Sequence, residues 1–160
     1  MLDTNIFNLL LDDEKFSLEL LPNADGFLAT PVQWKELCAT KCYNRRLELC
    51  SKFDLIAPDI ISVSFSWNVR GAGFDEGEWA TEEETALYKS LKNVLDRITK
   101  EKGKCKKENN IKDVLIAVCA IKHEAKLVTS DPSLKEAIDE CGFSRFVEYF
   151  PYCSRNSFPS

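Results

Sequence analysis

Histidine is nearly missing from this chain: His123 is the only one among 160 residues. No CxxC pair occurs either, so the usual structural zinc sites, built from four Cys or His at set spacings, are not indicated. Cys38 and Cys42 stand one helical turn apart and Cys50 follows. The seven cysteines, at 38, 42, 50, 105, 119, 141 and 153, are nevertheless read as buried or unpaired thiols of a reducing compartment. Glycine and proline are scarce, 6 of each, which gives no sign of a disordered composition. No apolar run approaches the roughly 20 residues of a membrane span, and the N-terminus lacks the basic flank and cleavage site of a signal peptide. A cytoplasmic protein without membrane contact is expected, with residues 1–160 forming one domain.

A surplus of positive charge is absent too. The 26 acidic side chains outnumber 21 basic ones, for a net charge of −5. That balance argues against long-range attraction to nucleic acid but leaves room for a local basic groove. Two charge runs read as solvated faces: Asp75, Glu76, Glu78 and Glu82 to Glu84, then Arg97, Lys100, Lys102, Lys104, Lys106 and Lys107.

What is present is an alternation of short apolar runs with longer periodic ones, an α/β rhythm without internal repeats. Met1-Leu2 is a strand stub, and Asp3-Thr4-Asn5 supplies capping residues for a helix at once. Phe27-Leu28-Ala29 reads as a strand, and Thr30-Pro31 opens a second helix carrying Glu36 beside its apolar stripe. Residues 53 to 80 are expected to be loop or short helical connections, with Gly71-Ala72-Gly73 inside them and Trp67, Phe74 and Trp79 completing the core. Thr81-Glu82-Glu83-Glu84 is a capping box before Leu87, Leu91, Val94, Leu95 and Ile98. Ile111 to Ala120 forms a buried helix whose one acid, Asp113, is expected in the first turn. Lys126 to Ser130 is a strand, and Asp131-Pro132 starts the last helix.

Asp3 and Asp131 each follow a strand and enter a helix, the edge where open α/β sheets bind ligands. Each alone is equally well an N-cap. Asp113 carries a desolvation cost of several kcal/mol unless a cation or hydrogen bonds offset it, and adjacent Lys112 is expected to point elsewhere. Two carboxylates about 5 Å apart repel by roughly 3 kcal/mol at an effective dielectric near 20. Four together therefore call for a hard divalent cation or raised pKa values. Asn5 is expected to bond the backbone of its turn, and Thr129 to steady Asp131 or a water. Lys35, Arg45, Arg46 and Lys112 are candidate phosphate neighbours.

Met1 to Ile6, Glu36, Ile111 to Ala117 and Leu127 to Asp131 together resemble the PIN-domain family, in which an Asp-Thr-Asn, a helical Glu, an Asp before an apolar helix and a Thr-x-Asp recur in this order. The resemblance implies a three-layer α/β/α fold with a central, mostly parallel sheet. It also implies a ribonuclease in which Asp3, Glu36, Asp113 and Asp131 hold Mg²⁺ or Mn²⁺, with Asn5 and Thr129 in support. RNA is the implied substrate; a protein antitoxin and a second copy of the chain are the partners the family suggests. The alternative within the same resemblance is a catalytically silent module that binds RNA or protein. An aspartyl-phosphate enzyme fits worse, because Asn5 stands where a second acid would be needed and no expected strand ends in lysine.

Overall fold

A computed structural model describes residues 1–21, 26–65, 77–103 and 107–151. Trp67, Phe74, Gly71-Ala72-Gly73, Asp75, Glu76, Lys104, Lys106, Cys105 and Cys153 lie outside the described residues. Helices dominate: α1 (Thr4–Asp12), α2 (Pro31–Cys38), α3 (Tyr43–Ile56), α4 (Glu82–Glu101), α5 (Lys107–Lys122) and α6 (Pro132–Glu140). Among the described residues six short strands accompany them: β1 (Leu28–Ala29), β2 (Asp59–Ile60), β3 (Val63–Phe65), β4 (Gly77–Trp79), β5 (Leu127–Thr129) and β6 (Val147–Tyr149). Among the described residues no helix is long and apolar enough to cross a membrane.

Local chemistry starts most of the helices where the sequence places them. Thr81 and Glu84 cap each other reciprocally, Glu84 N to Thr81 Oγ1 at 3.1 Å and Thr81 N to Glu84 Oε2 at 3.0 Å. Glutamates at the positive pole of α4 and Lys100 at its negative pole suit the helix dipole. The α5 helix is different: it begins at Lys107, so Asp113 lies in its second turn and not in the first. The dipole's favourable field fades within one turn, which leaves the Asp113 charge without that compensation.

Among the described residues the expected three-layer α/β/α arrangement around a central sheet does not form. The strands pair as three separate two-stranded parallel ladders, β1 with β2, β3 with β4 and β5 with β6, joined by one further parallel bridge between Leu2 and Val128. The segment from 53 to 80 also departs from expectation, since Phe53 to Ile56 finish α3 and β2, β3 and β4 follow. Strands of two or three residues offer few lateral hydrogen bonds, so helix packing carries the fold. Between the strand stub and β1 a side chain stands in for a ladder. Gln33 Nε2 donates to the Leu2 carbonyl at 2.6 Å, and Gln33 Oε1 accepts from Thr30 N at 2.5 Å and from Thr30 Oγ1 at 2.8 Å.

Two cores result. One gathers Leu91, Leu95, Ile98, Ile116 and Leu134 from α4, α5 and α6; the other gathers Ile6, Phe7, Leu37, Leu49 and Phe53 from α1, α2 and α3. The pleat of the short strands serves both, because alternate side chains face opposite ways. Leu127 enters the first core and Val128 the second, and Met1 and Leu2 divide in the same way.

Candidate functional site

The strand stub and β5 run parallel, with Asp3 N donating to Val128 O and Val128 N to Met1 O, both at 2.9 Å. Parallel neighbours end on the same side. Asp3, the N-cap of α1, and Asp131, the N-cap of α6, therefore emerge together. Thr129, fully buried, links them: its Oγ1 donates to Asp3 Oδ2 at 2.6 Å and accepts from Asp131 N at 3.0 Å. Asn5 completes the knot, giving Nδ2 to Asp3 Oδ2 at 2.7 Å and taking Ser130 N on Oδ1 at 3.0 Å. Asn5 thus bonds the backbone as expected, but that of the distant β5–α6 turn, and it orients a carboxylate as well.

Glu36 joins this knot through Thr4, whose Oγ1 donates to Glu36 Oε2 at 2.6 Å. On its other oxygen it meets Lys112, Nζ to Oε1 at 3.1 Å. Lys112 consequently faces the acidic cluster, contrary to the sequence expectation that it points away. Arg45, the second candidate phosphate neighbour, is held by both oxygens of Asp12 at 2.7 and 2.8 Å and by Asn8 at 2.6 Å. Arg46 lies over the Tyr43 ring.

Burial and mutual repulsion show in the acids themselves. Asp3 is 2% exposed, and loss of solvent pushes its carboxyl up to about 6, although bonds from Thr129 and Thr4 pull the other way and the charges of Glu36 and Asp131 add to the rise. Asp113 is pushed well above the carboxylate range, first by burial and then by the charges of Asp3, Glu36 and Asp131, with Lys112 the opposing influence. Asp113 differs from Asp3 in receiving, among the described residues, no hydrogen bond that would hold its charged form. It lines, with Asn5, Ser130 and Asp131, a cleft of about 420 Å³ between α4, α5 and the start of α6.

No family model matches the chain, and neither a curated protein nor a solved structure matches it. The site therefore stands on its geometry. Among the described residues no three His, Cys, Asp or Glu side chains already stand as a ready cage for an ion. Hard carboxylate oxygens suit Mg²⁺ or Mn²⁺, and Mg²⁺ usually retains several waters and takes only one or two carboxylates directly. The donor chemistry fits such an ion, with Asp113 the least committed ligand; Asp3 and Glu36 would keep their present partners on their remaining lone pairs.

The raised carboxyls make stability pH-dependent. Asp3 and Asp113 bind protons more readily folded than unfolded, so the stability they contribute is full below the unfolded value near 3.8 and is lost as pH rises through about 6 for Asp3 and through the raised value of Asp113. The buried Met1 ammonium, lowered to about 6, acts oppositely and only above that pH. Calorimetry of metal-free protein between about pH 4.5 and 6 should show the melting temperature falling by a few degrees as pH rises. A flat or rising profile there would show that these acids are not strained.

Proposed function

We propose that the protein is a cytoplasmic endoribonuclease, PIN-like in its site, that hydrolyses RNA phosphodiester bonds with Mg²⁺ or Mn²⁺. The observation that supports this most is the approach of the N-caps Asp3 and Asp131 to Glu36 of α2 and Asp113 of α5, where burial and repulsion leave charge for a cation to neutralise. When bound, the ion would activate a water and neutralise charge on the scissile phosphate. The chain's own part is to hold acceptors in place: Thr129 and Asn5 orient Asp3, Thr4 orients Glu36, and the Ser133 amide holds Asp131 Oδ1 at 2.7 Å.

A second reading, a silent module that binds RNA or protein, is favoured by one contact. Lys112 already neutralises part of Glu36, which weakens the demand for a metal. The two readings separate in one assay. Purified protein with fluorescent single-stranded and hairpin RNAs should cleave only when Mg²⁺ or Mn²⁺ is supplied, and Asp3→Asn should lower the rate by at least about 1,000-fold, the scale of losing an electrostatic or ligand group. Cleavage undiminished in EDTA, or full activity of the variant, would sink the nuclease; RNA binding without cleavage would favour the silent module.

A further inference from the structure

We propose that the 420 Å³ cleft beside the acidic site is a nucleoside pocket in which Asn110 Oδ1 accepts a hydrogen bond from a ribose hydroxyl or a base amine. Its ligand class, an RNA nucleoside, rests on the ribonuclease reading; its geometry does not.

Asn110 is 4% exposed and its amide orientation is settled by its partners. Nδ2 donates to Asp96 Oδ1 at 2.8 Å and to Thr99 Oγ1 at 2.9 Å. An ionised carboxylate can only accept, and the Thr99 hydroxyl has already spent its proton on the Leu95 carbonyl at 2.8 Å, so both must face the nitrogen. The oxygen is thereby turned away from them and no donor of the described residues reaches it. Among those residues every fully enclosed side-chain nitrogen or oxygen has a partner, so Oδ1 is open, and the opening that Asn110 lines is the cleft. Tying α4 to α5 uses the nitrogen alone. The oxygen is an oriented acceptor, open to the cleft, that no donor of the described residues reaches.

The surroundings decide which part of a nucleotide would enter. Thr99, Asn109, Ser130 and Ser133 make the walls polar and uncharged, whereas Asp113 and Asp131 stand on the side of the acidic site. Those carboxylates repel a phosphate from the interior and leave it at the acidic side, where a cation would meet it. A neutral sugar and base carry no such penalty. The volume lies within the roughly 300–1,000 Å³ of ordinary small-ligand sites.

The test needs neither metal nor cleavage. Full-length ¹⁵N-labelled protein without metal is titrated to millimolar concentration with cytidine, 2′-deoxycytidine and uridine, following amide shifts. Saturable shifts centred on Asn110, Ser130 and Ser133 are expected. Weaker binding of deoxycytidine would assign the donor to the 2′-hydroxyl, and weaker binding of uridine to the base amine. Asn110→Ala should weaken cytidine at least tenfold; since it also strips partners from Asp96 and Thr99, the exposed Asn109→Trp, which fills the mouth, serves as the independent variant and should do the same. Absence of saturable shifts at the cleft with all three nucleosides, or cytidine binding unchanged in Asn109→Trp, overturns the pocket. RNA cleavage without nucleoside binding would remove the pocket and spare the nuclease, and nucleoside binding without cleavage would do the reverse.

Discussion

Replacing Asp113 by Asn should stabilise the metal-free protein while abolishing metal-dependent RNA cleavage. The carboxylate is half-buried, receives no hydrogen bond from the described residues and faces the charges of Asp3, Glu36 and Asp131, with Lys112 alone opposing them. An amide of nearly the same shape removes the repulsion and leaves no bonded partner stranded. Relief of about 1–2 kcal/mol corresponds to a rise of roughly 2–8 °C for a chain of this size. The sign can be checked through pH. A raised carboxyl contributes stability below its unfolded value and loses it as pH rises, so the advantage of Asn should shrink toward zero near about pH 4 and grow toward neutrality. Calorimetry on both proteins in EDTA, paired with a cleavage assay, measures both effects. A destabilised Asp113→Asn would mean that the carboxylate is a structural group, and the metal reading would lose its strongest member.

Gln33→Leu should cost the fold far more than an ordinary surface change. The side chain is fully buried and occupies three polar groups: the Leu2 carbonyl, the Thr30 amide and the Thr30 hydroxyl. Leucine fills a similar volume but satisfies none of them. With each stranded buried group costing about 1–3 kcal/mol, a loss of roughly 3–5 kcal/mol is expected after partial relaxation, or about 6–20 °C in melting temperature. Because the Leu2 carbonyl immediately precedes Asp3, activity should fall even where the variant remains folded. Gln33→Glu, which keeps the two bonds to Thr30 and loses the donor to Leu2, should lie between. Urea denaturation of the three proteins ranks them, and equal midpoints for Gln33→Leu and the parent would refute the bridging role.

The starts of α1, α2, α4 and α6 were legible because their causes are local. Thr81 with Glu84, Thr30 with Pro31, and Asp131 with Pro132 each bring the cap and the first turn within three residues. The position of Asp3 and Asp131 at strand-to-helix junctions was legible for the same reason. Sequence reading failed where the partner was remote or the signal weak. Tyr43 to Ile56 mixes polar and apolar residues on most of its faces, so the helix it forms has no clear stripe in the sequence. The strands of the 53 to 80 segment are too short to show a period of two. The central sheet was the expectation of a family resemblance, and strands of two or three residues form paired ladders instead.

The sequence by itself determined the acids that end the elements, the caps that start the helices and the apolar stripe that buries α5, because each depends on neighbours one or two turns away. Only the tertiary structure decided that Thr129 lies 2.6 Å from Asp3 across 126 residues, that Lys112 answers Glu36, and that Gln33 replaces a ladder between Leu2 and Thr30. The same holds for the acidic site. Each carboxylate alone is an ordinary cap or helix residue; their repulsion exists only once the chain brings them together away from water.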